Sequence, residues 1–251
     1  ETCLRLANPL SRDGEFMRPS LGPSLLQAIV ENQERAAAFR VFELSTIYWQ
    51  NRPQPALPEE RAEIVFAVVN DGPEPWVEAK GVAEALLQEL NILDGAWQRW
   101  GGDHFWHPGR SSQCVLDGQP LVTVGELHPQ MAERWGIARR VGLVQAFPAE
   151  LARRARPAKP YQPIPAFPEI ERDLAVVADE GVEIAAIEAA ARTGEPTGLL
   201  RRVTWFDAFR GETLGAGKKS LAFHLAFRAD DRTLSSEEVD RALDGIRSRL
   251  E

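Results

Sequence analysis

The sequence predicts an α+β protein in two parts. The first is a module with a largely antiparallel sheet; the second is a smaller ferredoxin-like βαββα(β) unit. Three observations carry this. Residues 1–156 read as hairpin strands with helices segregated between them, the pattern of an antiparallel α+β sheet. A proline-rich segment, Pro157-Ala-Lys-Pro160-Tyr-Gln-Pro163-Ile-Pro165-Ala-Phe-Pro168, then interrupts all periodicity. Residues 168–251 place three strand-like runs and two helical runs in the order β-α-β-β-α, the ferredoxin-like order short of its last strand.

In the first part, Leu21, Leu25, Leu26, Ile29 and Val30 recur at helical spacing and predict a helix over 22–38. Phe39–Trp49, rich in β-branched and aromatic residues, predicts a strand. Pro53, Pro55 and Pro58 predict a loop. A strand is expected over Ala62–Asn70, with Ile64, Phe66 and Val68 on one face. The stripe Val82, Ala83, Leu86, Leu87, Leu90 predicts a helix over Trp76–Asn91. Gln113–Leu116 and Leu121–Leu127 read as a hairpin turning at Asp117-Gly118. Pro129–Trp135 reads as a short helix with proline at its first position, and Val141–Phe147 as a further strand. Thr2–Leu6 reads as the middle of a strand, and with Glu1 rather than Met at the start the chain is expected to be a piece of something longer.

The prolines fix φ and remove amide donors, so 157–167 is expected to run extended as a linker between 1–156 and 168–251. Arg153, Arg154, Arg156 and Lys159 flank it, either as solvated charge or as a stretch that skims RNA phosphates. Beyond it, strands are expected at Asp173–Ala178, Arg202–Phe209 and Ser220–Arg228, and helices at Ile184–Arg192 and Ser235–Leu250. The last helix opens on Ser235-Ser-Glu-Glu238, a capping box in which the serine oxygen accepts an orphan amide and the glutamate reaches back. A three-stranded sheet leaves an edge open to pairing.

Composition bounds the rest. The chain has 251 residues, 44% hydrophobic and 26% charged, enough for one large or two ordinary domains. No apolar run approaches the roughly 20 residues that span a bilayer, so no membrane partner is expected and a cytoplasmic location is the default. Two cysteines, Cys3 and Cys114, make neither a disulfide framework nor a cysteine zinc site. A net charge of −8 argues against strong autonomous binding to nucleic acid, whose non-specific affinity comes from Lys and Arg.

Several phrases bear a resemblance. Asn8-Pro-Leu-Ser11, Met17-Arg-Pro-Ser-Leu21 with Ser24-Leu-Leu26, Phe42-Glu-Leu44, His107-Pro-Gly-Arg110 and Gly125-Glu-Leu-His-Pro129 follow one another in the first part. Phe167-Pro-Glu-Ile-Glu-Arg-Asp-Leu-Ala175, Phe206-Asp-Ala-Phe-Arg-Gly211 and Lys218-Lys-Ser-Leu-Ala-Phe-His-Leu-Ala-Phe-Arg228 follow in the second. Together they resemble the C-terminal part of the β chain of bacterial phenylalanyl-tRNA synthetase. The resemblance implies a class II synthetase-like module over 1–156, catalytic-like in shape but without an active site, and an anticodon-binding domain over 168–251. It implies an α subunit as partner in an α2β2 assembly, tRNA(Phe) as the bound nucleic acid, and ATP and Mg²⁺ as cofactors of the whole enzyme, with none bound by this chain. Ser45-Thr46 stands where the family has Gly-Arg, and no arginine closes that strand. The editing domain of the family has no counterpart in this sequence.

Nothing else in the chain points to catalysis. His104 and His107 lie three apart in an aromatic, glycine-flanked loop without a cysteine partner. They are not read as metal ligands, and His107-Pro108 and His128-Pro129 are read as turn-shaping. There is no Ser/His/Asp arrangement, phosphate loop or nucleotide fingerprint. No catalytic and no metal residue is assigned.

The nucleic-acid reading rests on period two in 220–228. Leu221, Phe223, Leu225 and Phe227 fall on one face, toward the helices; Ala222, His224, Ala226 and Arg228 fall on the other. Small residues beside a His and an Arg make a floor on which a splayed base can lie. Arg172, Asp173, Arg202, Arg210, Lys218, Lys219, His224 and Arg228 are the candidate tRNA-binding residues. Against this, each cation is equally a solvated surface charge, Arg172-Asp173 equally an ion pair or strand cap, and Trp205 and Phe206 are read as core aromatics. The alternatives are a non-catalytic interaction scaffold, such as a free-standing paralogue without tRNA binding, and an independent ATP-dependent ligase, which the missing arginines disfavour.

Overall fold

The computed structural model describes residues 3–11, 14–49, 57–70, 72, 74–156, 161 and 163–251. The chain divides into two compact units, residues 1–160 and 161–251. Of the proline-rich segment, 157–160 and 162 lie outside the described residues, as do Pro53, Pro55 and Thr2. Among the described residues no helix is long and apolar enough to cross a membrane.

The first unit is built on a six-stranded antiparallel sheet in the order β1-β2-β6-β5-β4-β3. The strands are β1 (Phe39–Trp49), β2 (Glu59–Val69), β3 (Ala96–Arg99), β4 (Trp106–Leu116), β5 (Gln119–Leu127) and β6 (Val141–Ala146). Helices α1 (Gly22–Asn32), α2 (Pro75–Glu89), α3 (Pro129–Trp135) and α4 (Pro148–Arg154) cover it. β2 shows why both faces are covered. Val65, Ala67 and Val69 pack with Leu25, Leu26 and Ile29 of α1, while Val68 on the other face joins Ala79, Ala83 and Leu87 of α2 and Leu151 of α4. A strand buried on both sides reads as a near-continuous apolar run, as 64–69 does.

The Asp117-Gly118 turn closes β4 onto β5 with φ of 52° and 74°, the positive pair a two-residue hairpin of type I′ requires. Gly adopts that φ without penalty, and Asp tolerates it better than most residues.

Several boundaries differ from expectation. The helix expected over 22–38 stops at Asn32, because the Arg139 guanidinium takes the Gln33 and Ala36 carbonyls. The segment expected as a strand at 2–6 makes only an Arg5–Phe16 bridge. β2 begins at Glu59 rather than Ala62, because β1 pairs with it along its whole length. His107 belongs to β4 rather than to a loop, and β3 and α4 were not anticipated. α4 absorbs two members of the basic run. Arg153 and Arg154 both pair with Glu150 one turn earlier, and Arg156 pairs with Asp94.

The second unit has strands β7 (Ile170–Asp179), β8 (Leu200–Phe209) and β9 (Lys218–Phe227), antiparallel in the order β7-β9-β8. Helices α5 (Ile184–Gly194) and α6 (Ser236–Leu250) lie on one face. Leu221, Phe223, Leu225 and Phe227 of β9 are buried against Ile187 and Ala191 of α5 and Val239, Leu243 and Ile246 of α6, as period two predicts. The helices meet backbone to backbone. A Cβ on Gly245 would lie 2.7 Å from the Gly194 carbonyl oxygen. The Ser235 capping box forms at the start of α6 with both of its hydrogen bonds. Buried Glu195 ends α5 and accepts from the Leu200 and Thr197 amides, which fixes the approach to β8.

Candidate nucleic-acid interface

The three-stranded sheet leaves its second face uncovered within its own unit, and the register tells what lies on it. Asp173, His224 and Thr204 form one row across β7, β9 and β8; Glu171, Ala226 and Arg202 form the next; Ala175, Ala222 and Asp207 flank the first row on its other side. Ala222 and Ala226 keep the side chains short in the central strand; Ala222 is half-buried and Ala226 is itself buried, so the accessible part of the face lies around His224 and Phe206.

Two irregularities in β8 shape this face. The register shifts between Leu200 and Arg202 and again between Trp205 and Asp207, leaving Arg201 and Phe206 as the extra residues. Phe206, in phase with Thr204, lies on the face at the second shift, which brings Asp207 onto the same side; the Phe206 ring stacks on His224 with centroids 3.9 Å apart and planes 11° from parallel. The imidazole is held from below by Asp173, whose Oδ1 lies 2.6 Å from Nδ1. Phe206 is 47% exposed, Phe209 53% and Trp205 42%. The core reading of Trp205 and Phe206 is therefore corrected: Phe206 lies on the open face in phase with Arg202 and Thr204, and Trp205, opposite Phe223 on the helix side of the edge strand, stays outside the buried cluster. Trp205 folds along its own strand, and its Nε1 donates to the Asp207 carbonyl at 2.8 Å.

The eight candidate residues do not all lie together. Asp173, Arg202, Lys218, His224 and Arg228 share the open face or its rim. Arg202 donates to Glu171 at 3.2 Å and Glu169 at 3.4 Å, Arg228 to Glu169 at 2.9 Å, and Lys218 to Asp179 at 3.2 Å. Arg172 stands opposite Leu225, on the helix side, and pairs with Asp240 of α6 rather than with its neighbour Asp173. Lys219 also turns inward, is 8% exposed, and donates to the Glu180 carbonyl. Arg210 sits at the end of β8 and donates to Glu180, whose carboxyl it holds below the usual range.

The first unit carries its ionic groups differently. Glu126 is buried between Arg110 and Arg140, each of which donates to it. Burial alone would raise this carboxyl, but the two guanidiniums outweigh it and hold it below its ordinary value. His107 Nδ1 accepts from the Gly109 amide and His128 Nδ1 from the Gln130 amide, so both imidazoles close local turns. Where the resembled family has Gly-Arg, Ser45 and Thr46 receive the guanidinium of Arg18, which also donates to Glu43 at 2.6 Å.

Comparison with known proteins places both units. Residues 1–145 match the model of the phenylalanyl-tRNA synthetase β chain CLM domain, and residues 165–251 that of the ferredoxin-fold anticodon-binding domain. The chain is 36% identical to the phenylalanine–tRNA ligase β subunit of Symbiobacterium thermophilum over 99% of its own length and 29% of the relative's. It is 33% identical to that of Synechocystis sp. over 98% of itself and 32% of the relative, and 32% identical to that of Geobacillus kaustophilus over 94% and 30%. The chain thus spans about three tenths of the length of these relatives. Among solved structures, a pyrrolysyl-tRNA synthetase from Desulfitobacterium hafniense overlays on 57% of this chain and 51% of its own, at a TM-score of 0.48 and 16% identity, too slight a likeness to argue from.

Proposed function

Since the chain belongs to the phenylalanyl-tRNA synthetase β-chain family, we propose that it serves in a phenylalanine–tRNA ligase as a non-catalytic part that grips the anticodon region of tRNA(Phe). Its first unit braces the α subunit of an α2β2 enzyme, and the ATP and Mg²⁺ of the aminoacylation reaction belong to that partner. The cytoplasm, where tRNA is charged, is the expected compartment. The proposed tRNA contacts are Arg202, Lys218, His224 and Arg228, with Phe206 and Phe209 as the stacking rings. Asp173 orients His224. Arg172 and Lys219 serve the unit's own packing, and Arg210 the end of β8.

One observation carries this reading: an exposed Phe206–His224 stack on the sheet face away from the helices, in the unit that matches the anticodon-binding model. A base offered to that face gains an aromatic plane, worth about 1–3 kcal/mol per stacked base. The acid–arginine pairs beside it do not block the way. Exposed pairs hold with only about 0–1 kcal/mol, so a phosphate can replace a glutamate on Arg202 at small expense. Phe206→Ala in the full chain should weaken binding of tRNA(Phe), read by filter retention, by roughly tenfold or more while the circular dichroism spectrum stays unchanged. Unchanged affinity would remove this face from the interface.

A second reading, a protein-interaction scaffold without tRNA binding, draws on the same pairing. Arg202, Lys218 and Arg228 all meet carboxylates on this face. That reading requires no retention of tRNA(Phe) by the chain at low salt, together with capture of the α subunit.

A further inference from the structure

The first unit contains a cavity of about 330 Å³ between the sheet and helices α1 and α3. Roughly 150 Å³ suffices for a benzene ring in an apolar protein cavity, so this one holds a ring with a short chain attached. Its walls are aromatic, with Trp49, Phe105, Trp106 and Trp135 all lining it. Its polar side is acidic, with Glu63 and Asp103, and among the described residues no lysine, arginine or histidine contributes to the lining.

Glu63 is the unusual member. It lies on β2 in phase with Val65 and Ala67, positions that belong to the apolar core under α1, and it is 0% exposed. Its carboxyl accepts from the Leu21 amide at 2.6 Å and from the Gln145 side chain. A carboxylate offers about four acceptor sites, so two donors leave it half satisfied. The cation nearest to hand does not complete it: Arg18 spends its guanidinium on Glu43, Ser45 and Thr46. Burial pushes the Glu63 carboxyl up, outweighing the Gln145 and Leu21 donors and the nearby charge of Arg18. An entering ammonium supplies the missing donors and charge, and its ring or its cation finds aromatic faces. Among the described lining residues an anion meets two acids and no base.

We propose that this cavity is a binding site for a small organic ammonium carrying an aromatic ring, with the nitrogen on Glu63 and the ring among Trp49, Phe105, Trp106 and Trp135. The site lies in the unit that performs no chemistry in the reading above, and it does not depend on tRNA binding.

The test is calorimetric titration of the full chain with phenethylammonium chloride, beside 2-phenylethanol and 3-phenylpropionate as neutral and anionic partners of similar shape. The ammonium should bind and the alcohol should bind at least about tenfold more weakly, the ratio expected when a charged hydrogen bond is lost. The propionate should give no binding heat. Glu63→Gln keeps the acceptor for Leu21 and removes the charge; it should weaken the ammonium by about tenfold to a hundredfold. Ser20→Leu places bulk in the cavity, leaves Glu63 intact, and should abolish binding. Absence of binding at about 10 mM ligand, equal binding of the propionate, or undiminished binding by either folded variant would overturn the proposal. Should Glu63→Gln fail to fold, the ligand series and Ser20→Leu decide it.

Discussion

Glu63 and Glu126 are both buried glutamates, and their surroundings drive them in opposite directions. Glu126 stands between Arg110 and Arg140, and its carboxyl is held below the ordinary value of 4.5. A carboxyl depressed in the folded state adds stability that is present above its unfolded value and is lost as the pH falls through its folded value. Glu63 carries the reverse sign. Its raised folded value means that stability declines as the pH rises from 4.5 through that value. Glu126→Gln should therefore cost about 1–3 kcal/mol near neutral pH, read by urea denaturation of the full chain. The variant should also lose less of its remaining stability on acidification than the unaltered chain. The half-exposed arginines can rehydrate when freed, which keeps the expected cost below that of a fully buried ion pair. An acid limb identical in the two proteins would show that the guanidiniums do not hold this carboxyl.

Among the elements, the crossing of α5 and α6 sets the shape of the layer behind the open sheet face. Gly194 and Gly245 let the helix backbones touch, and the helices then bury Ile187, Val239, Leu243 and Ile246 against β9. Gly245→Ala pits two effects against each other. Alanine gains about 1 kcal/mol of helix propensity over glycine. Its Cβ, however, would stand 2.7 Å from a backbone oxygen that no rotamer change can move, and overpacking of this kind costs about 1–3 kcal/mol or more. The clash should win, with a net loss of about 1–2 kcal/mol in chemical denaturation monitored by circular dichroism. A stabilised variant would mean the helices separate freely. The bulge at Phe206 is the other decisive local feature, because the extra residue in β8 places Phe206 and Asp207 on the same open face, with the Phe206 ring stacked on His224.

For the molecule as a whole, charge governs how it meets RNA. A net charge of −8 gives no general attraction for phosphates, so affinity must come from a few placed cations and from stacking. Three permanent cations lie on the open face, Arg202, Lys218 and Arg228. If each displaces one counterion from single-stranded RNA, log K for tRNA(Phe) should fall with log salt at a slope of about −2, over roughly 50 to 300 mM. Filter retention across that range measures it. A slope steeper than about −4 would mean that cations elsewhere on the chain hold the RNA, and that the sheet face is not the main contact.

The sequence by itself determined the alternation that makes nearly every strand and helix. It determined the hairpin at Asp117-Gly118, the capping box at Ser235 and the inward face of β9, because each of these depends on neighbours in the chain or on a simple period. It also held enough ordered phrases to indicate the family. Tertiary structure alone decided what depends on partners far away in sequence. Arg139 ends α1 from more than a hundred residues away, and Asp240 claims Arg172 for the helix side of the sheet. Lys219 is turned inward by its place in β9, one step out of phase with His224, although its neighbour Lys218 faces out. The placement of Glu63 at the wall of an aromatic cavity is of the same kind. Local pattern marks it as an oddity in an apolar strand, but only the packing of α1, α3 and β6 around it makes a space that a ligand can enter.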